Sequence, residues 1–426
     1  MDTAGSIDTD AVDALREERL DWRFKAVPAQ AHGLTAGAFA AARPRLSGFG
    51  TPLLTLDAAA LEHNTEVVAD WAATAGVLLA PHGKTTMAPQ LWRRQLAAGA
   101  WGITLANLPQ LRVARAFGVS RLLLANTLVD PGGLAWLSRE LDRDPGFTFL
   151  SWVDSAHTVS LMDDALRAAG AQRPVDVCLE LGGPHGRTGV RDEAEALRIA
   201  EVVEASPVLR LAGTGGYEGA FAHDDSAESF ATVRDWLRRL AALNGRLPYE
   251  TPRPVVTAGG SAFPDLVTEQ LAGLPGTDVI VRSGAYIVHD DGFYRGISPF
   301  GRTGRLPGTR PLRSAMHGWA RVVSRPEPGL ALLDAGKRDL PFDEGLPEPQ
   351  LVRGGGPLPA SAAITALNDQ HAFLRGPGAD GTQIGDVLRL GPSHPCTALD
   401  KWTLLPVVAD ADAADPVVVD LVRTWF

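Results

Sequence analysis

From about Thr51 to Asp290, short apolar runs alternate with longer amphipathic stretches, and this alternation restricts the fold more than any other feature of the chain. The strand-like runs are Pro52 to Leu56, Val77 to Ala80, Gly102 to Ala106, Arg121 to Asn126, Thr148 to Val153, Val175 to Glu180, Leu209 to Thr214, Val255 to Ala258 and Asp278 to Arg282. Between them, Leu61 to Ala75, Ala88 to Ala98, Leu108 to Phe117, Ala156 to Ala169, Asp192 to Ala205 and Ser226 to Leu243 carry apolar residues at helical spacing. Eight or so β-α units over roughly 240 residues predict an α/β fold, a closed (β/α)8 TIM-type barrel. In such a barrel the chemistry gathers where the strands end, so the residues just after each run are the ones to read first.

After about Ile297 the texture changes to Gly and Pro punctuation with short strands, among them Leu312 to Ser324, Gly329 to Leu333, Asp386 to Leu390 and Trp402 to Val408. That pattern predicts a second, mostly β domain over 297–426, following a barrel over 51–296. The first 50 residues are expected to contribute to the β domain. Gly345 to Ser361, containing Gly354-Gly355-Gly356-Pro357, is too polar and irregular for a core element and predicts an exposed loop.

The apolar runs, such as Gly76 to Ala80, fall far short of the ~20 residues that span a bilayer. Residues 1–8 are acidic and lack the basic flank and apolar stretch of a signal peptide, so a cytoplasmic location is expected. Two cysteines, Cys178 and Cys396, provide no disulfide framework, which fits a reducing compartment. A net charge of −10 without a basic run argues against nucleic acid as a partner. A small-molecule substrate is left.

Lys84, in Pro81-His82-Gly83-Lys84-Thr85-Thr86, follows an early strand and falls at the face where barrel sites are built. A lysine there can form a Schiff base with a cofactor aldehyde once burial or nearby positive charge lowers its pKa. A plain surface lysine in a βα loop is the competing reading. Thr257-Ala258-Gly259-Gly260-Ser261 follows a late strand, with open backbone amides and two hydroxyls that can cradle a phosphate, although a Gly-Gly turn is often only structural. Arg282-Ser283-Gly284-Ala285-Tyr286 ends the next strand, and Arg187 follows the strand ending at Glu180; each is an ordinary loop residue unless the fold gathers them. Far downstream, His394-Pro395-Cys396 presents two zinc ligands two residues apart, which would share one side of an extended segment. A buried Cys396 acting as a small hydrophobe beside a hydrogen-bonded His394 is the alternative.

Taken together and in this order, Pro81-His82-Gly83-Lys84-Thr85, Arg187, Tyr217, Thr257 to Ser261, Arg282 to Tyr286 and Ser393-His394-Pro395-Cys396 resemble the fold-type III pyridoxal-phosphate enzymes. That group contains D-serine dehydratase, D-threonine aldolase and bacterial amino acid deaminase proteins, with alanine racemase a more distant relative. The resemblance implies an alanine-racemase-like barrel carrying pyridoxal 5'-phosphate on Lys84. It implies that Gly259, Gly260 and Tyr286 hold the phosphate and that Tyr217 lies near the pyridine ring. His82, Arg187, Thr257, Ser261, Arg282 and Gly284 would complete the cofactor site. His394 and Cys396 would hold zinc, and the family's homodimers would bring the β domain of one subunit over the barrel of its partner. The sequence departs from the family pattern at Asn368-Asp369-Gln370-His371.

The reaction this implies is dehydration of D-serine or another D-3-hydroxy amino acid, with Lys84 taking the Cα proton and zinc polarising the β-hydroxyl as it leaves. The same parts also suit a D-threonine aldolase or a racemase-like enzyme. A pyridoxal-phosphate-binding protein without turnover is a third reading, and it gives no use to His394 and Cys396.

Overall fold

In the computed structural model of the protein, residues 4–302 and 304–426 are described; residues 1–3 of the acidic N-terminal stretch read above lie outside them. The strands in chain order are β1 (Leu53–Asp57), β2 (Leu78–Leu79), β3 (Ile103–Leu105), β4 (Arg121–Thr127), β5 (Thr148–Val153), β6 (Val175–Glu180), β7 (Leu209–Gly215), β8 (Val255–Ala258) and β9 (Asp278–Val281). They continue with β10 (Met316–Glu327), β11 (Leu330–Leu333), β12 (Glu348–Val352), β13 (Ala363–Leu367), β14 (Ala372–Arg375), β15 (Val387–Gly391), β16 (Leu404–Val408) and β17 (Val418–Arg423).

β2 to β9 form an eight-stranded parallel sheet in the order β2-β9-β8-β7-β6-β5-β4-β3. The ring closes where His82 bridges Thr104 in parallel, supported by the Trp101 and Thr104 amides donating to Leu79 and Pro81 carbonyls at 2.6 and 2.9 Å. Strands enclosed on both faces need no polar alternation, and β3 is buried at every position. Inside the barrel, Leu123, Leu150, Trp152, Cys178 and Ile280 fill the lumen as a packed core. Cys178 is fully buried and unpaired, and burial raises its thiol pKa, so it acts as a small hydrophobe.

Five crossover helices start on a side chain that accepts from the first turn, while Pro89–Ala97 and Pro264–Leu271 start on a proline without one. Asn107, Asp130, Ser155, Asp192 and Ser226 each receive the backbone N–H of the residue three further on. Asp57 caps the helix Ala58–Ala75 through Ala60 N–H at 2.8 Å, and its second oxygen accepts from Ala411 N–H at 2.9 Å. One carboxylate thereby starts a barrel helix and ties it to the C-terminal domain.

β1 corrects an expectation. Leu53–Asp57 was expected to open the barrel at 51, but it pairs antiparallel with β10 and parallel with β16. The barrel proper therefore starts at β2, and β1 sits inside the β-domain sheet of order β13-β14-β11-β10-β1-β16-β17. β15 joins that sheet on β10, and β12 joins β15. A run buried on both faces carries no periodicity that says which sheet it joins. The stretch 345–361 holds a second correction. It was expected to be a loop, yet it contains the strand Glu348–Val352, paired only with β15 and never fully buried. An edge strand of that kind keeps polar residues and so reads as a loop.

Residues 4–50 hold the helices Thr9–Asp13 and Ala36–Ala41 and run along the barrel, with Gly5 and Asp8 amides donating to Ala100 and Phe117 carbonyls at 2.9 Å. They reach the β-domain edge where Arg45 bridges Val417. Trp319 on β10 is 1% exposed and donates its indole N–H to Thr55 on β1 at 2.9 Å. Trp319→Ala is expected to cost about 3–5 kcal/mol by opening a cavity and removing the indole donor to Thr55, read as a lower denaturant midpoint. Among the described residues no helix is long and apolar enough to cross a membrane.

Candidate active site

β2 delivers the chain into Pro81 and the short 3-10 turn Gly83–Thr85. Glycine is required at 83 because a Cβ there would meet Ile103 Cγ2 at 2.7 Å and Trp92 Nε1 at 2.8 Å. That close packing, with the Trp92 indole donating to Gly83 O at 3.3 Å, fixes the turn that aims Lys84 into a cavity of about 320 Å³ at the barrel's C-terminal face. Burial lowers the Lys84 pKa, and the Arg187 and Arg282 charges add to the effect while Cys396 opposes it. The amine is thus moved toward its neutral, nucleophilic form. His82 also lines the cavity, and burial, then Lys84, Arg282 and Arg187, push its pKa well below the usual value. Its ring is neutral, and its buried Nδ1 has no hydrogen-bond partner.

Arg282 is 5% exposed and spans the floor, donating to Thr257 Oγ1 at 2.7 Å and to Gly216 O at 2.5 Å. Thr257 is therefore a support beneath the cavity, outside its lining. Arg187 stands at the mouth with its guanidinium 4.8 Å from the Tyr217 ring centre, a cation-π contact. Tyr217 is partly buried, and the loss of water around the phenol raises its pKa to about 12, so it keeps its proton. Two buried carboxylates escaped the sequence reading. Glu180, at the end of β6, lines the cavity, accepts from the Thr188 hydroxyl at 2.9 Å and leaves Oε2 buried without a partner; burial raises its pKa. Glu218 accepts the Gly259 and Gly260 N–H groups at 2.9 and 2.7 Å.

The Glu218 contacts change the expected phosphate cradle, because the Gly259 and Gly260 amides already have a buried acceptor. Among the described residues the Ser261 and Gly284 amides have none, and both residues line the cavity. A Cβ at Gly284 would lie 2.4 Å from His82 O, so only glycine lets this strand end lie against the lysine turn. Tyr286 does not reach the cavity; it is buried and lines a small void behind it. Tyr294 lines the cavity in its place. It is carried on a turn whose Gly292, Tyr294 and Arg295 amides all donate to Asp290, at 3.0, 3.1 and 3.1 Å. The Asp-x-Gly stretch at 290–292 was the available signal for that turn.

His394 and Cys396 come from the β domain of the same chain. They do not share an extended segment as expected, because Pro395–Thr397 forms a 3-10 turn with His394 as its extended N-cap. The turn still places Cys396 on the cavity, its sulfur 3.7 Å from the Thr85 hydroxyl. Asp343 lies 2.8 Å from His394 Nδ1 and also accepts from Thr397 at 2.5 Å. Burial lowers the His394 pKa, but Cys396 and Asp343 outweigh it and raise the value to about 9. Among the described residues no group of three metal-ligating side chains forms. Asn368 to His371 lie away from the site, with Gln370 donating to Asp339 at 2.9 Å and the Arg338 guanidinium 3.4 Å from Asp369.

Residues 56–272 match the alanine racemase N-terminal domain family and residues 315–408 the putative serine dehydratase domain family. The D-threonine aldolase of Arthrobacter sp. is 30% identical over 377 residues, covering 87% of this chain and 92% of that protein. The chain belongs to the fold-type III pyridoxal-phosphate family of D-serine dehydratases and D-threonine aldolases. Other fold-type III relatives are the 3-hydroxy-D-aspartate aldolase of Paracoccus denitrificans, 26% identical over 83% of this chain and 87% of that one, and the D-threo-3-hydroxyaspartate dehydratase of Delftia sp. HT23, 24% identical over 88% and 96%. Among solved structures, the D-threonine aldolase of Filomicrobium marinum superposes with a TM-score of 0.75 at 25% identity, covering 89% of this chain and 96% of that one. Alanine racemase of Bacillus anthracis, at a TM-score of 0.60 and 13% identity over 87% and 97%, shares the fold.

The fold-type III cofactor fits what this chain offers. Lys84, the unpartnered His82 Nδ1 and Glu180 Oε2, and the open Ser261 and Gly284 amides surround one space. Gly284→Ala is expected to close that space against His82 and abolish cofactor retention, read as loss of visible absorbance after gel filtration. A metal also fits the donor chemistry. Asp343, 2.8 Å from Nδ1, orients the His394 ring, the usual support for a metal-ligating histidine, and the ring would give up its second proton on taking a metal.

Proposed function

We propose that this protein is a pyridoxal-phosphate-dependent, metal-assisted lyase acting on D-3-hydroxy-α-amino acids, with dehydration to a keto acid and ammonia as its reaction. One juxtaposition carries the reading: Lys84, with its pKa lowered, and Cys396, beside His394, face the same cavity from two domains of one chain. Pyridoxal phosphate, when bound, supplies an electron sink for negative charge at the substrate Cα. A divalent metal held by His394 and Cys396 would leave positions open to polarise the β-oxygen. Lys84, as a neutral amine, takes the Cα proton. His82, kept neutral among cations, adds no competing charge beside Lys84. Trp152, Tyr217 and Tyr294 wall the cavity against water, and Arg187 offers a guanidinium to the substrate carboxylate at the mouth.

The 30% identity to a D-threonine aldolase favours a second reading on the same site. There a base takes the β-hydroxyl proton and the Cα–Cβ bond breaks, giving glycine and an aldehyde. Purified protein is expected to release pyruvate and ammonia from D-serine and to leave L-serine untouched. Glycine and acetaldehyde from D-threonine, with no pyruvate from D-serine, would replace dehydration by aldol cleavage.

A further inference from the structure

A second cavity, of about 390 Å³, opens where the N-terminus of the helix Ala58–Ala75 meets the β domain, and it shares no lining residue with the first. Its wall contains Asp291, His317, Gln350 and Arg389. Each has one buried atom without a hydrogen-bond partner: Asp291 Oδ2, His317 Nδ1, Gln350 Oε1 and Arg389 Nε. These are four of the nine such side-chain atoms among the described residues. Buried polar atoms are nearly always paired, so their concentration around one cavity points to something that would pair them. His317 is only 7% exposed, and burial with the nearby Arg389 charge lowers its pKa to about 3, which keeps the ring neutral.

Of the other polar groups on the wall, Asp57 is committed through both oxygens, Ser314 donates to Met316 O at 3.4 Å, and Asp410 and Asp412 are each engaged through one oxygen. Asp57 accepts the Ala60 and Ala411 amides, Asp412 pairs with Arg389 Nη1 at 2.6 Å, and Asp410 accepts Asp412 N–H at 2.8 Å. Arg313 lines the rim, is exposed, and has a guanidinium without an ion-pair partner among the described residues. What the unpartnered groups offer a ligand is a guanidinium and a guanidinium N–H on one hand, and a carboxylate oxygen and an amide oxygen on the other. A simple anion would leave Asp291 facing like charge, and a simple cation would face Arg313 and Arg389.

We propose that this cavity is a binding site for a small zwitterion, an α-amino acid whose carboxylate meets Arg313 and Arg389 and whose ammonium meets Asp291 and Gln350. Its setting is suited to a site that is felt elsewhere. The Asp291 amide donates to Pro392 O at 3.1 Å, two residues before His394, and the neighbouring Asp290 carboxylate holds the turn that bears Tyr294.

The test is calorimetric titration of the borohydride-reduced holoprotein with glycine, acetate and ethylammonium in turn. Reduction fixes any cofactor to Lys84, so glycine cannot react there, and the variants locate its binding even if reduction changes nothing. The expected result is one glycine per chain, bound more tightly than either half-molecule, and weakened by about tenfold or more in both Arg313→Ala and Asp291→Asn. The proposal is overturned if glycine gives no binding, if acetate binds as tightly as glycine, or if both variants bind glycine unchanged. Crystals of the reduced protein soaked in glycine ask the same question without a variant. Glycine density against Arg313 supports the site, and water alone there overturns it.

Discussion

Lys84→Ala is expected to lower turnover by about a thousandfold and to remove the visible absorption of lysine-bound cofactor, with the fold intact. The size follows from two roles resting on one amine. Lys84 is the only lysine among the residues lining the cavity, and its proton affinity is already reduced by burial and by Arg187 and Arg282. Its backbone is fixed by Gly83 against Trp92 rather than by the side chain, so alanine should leave the turn in place. The check is absorbance and turnover on protein whose circular dichroism matches wild type. A variant that keeps both the visible band and full turnover would remove Lys84 from the account.

The second large effect is at the metal pair. His394→Ala is expected to abolish stoichiometric metal and to lower turnover by about a hundredfold or more, the several kcal/mol that a Lewis acid contributes to a poor leaving group. Visible cofactor absorbance should persist, because His394 does not line the cavity that holds Lys84. Asp343→Asn should give a milder form of the same defect, about 10–100-fold, since it loosens the ring without removing a ligand. Equal metal content in wild type and His394→Ala, measured by elemental analysis, would return His394 to a purely structural role.

The parts of this site that could be read from the sequence are those whose position depends only on following a strand. Lys84 after β2, Arg187 after β6, Ser261 after β8 and Gly284 after β9 all reach the cavity, because a parallel barrel sends every such segment to the same face. Residues defined by a partner far along the chain could not be read this way. Glu218 matters because it accepts amides more than 40 residues downstream, at Gly259 and Gly260, and Asp343 because it reaches a histidine 51 residues away. Tyr286 was expected at the phosphate from the family resemblance, but the short helical turn Ala285–Ile287 carries its ring behind the wall. In the fold, β1 was given to the wrong sheet because Leu53–Asp57 is buried throughout, and β12 was missed because an edge strand keeps a polar sequence. The first error concerns which neighbour a strand pairs with and the second whether a polar segment pairs at all, and hydrophobic pattern alone encodes neither.

In the proposed reaction one cavity joins lysine-bound cofactor chemistry to a metal held by His394 and Cys396. The most direct measurement strips the metal from the holoprotein with a chelator and follows pyruvate release from D-serine as zinc is added back, with cofactor absorbance recorded throughout. The expected result is a full cofactor band at every point, turnover near zero without metal, and recovery that saturates at one zinc per chain. Undiminished pyruvate release from metal-free protein would contradict it.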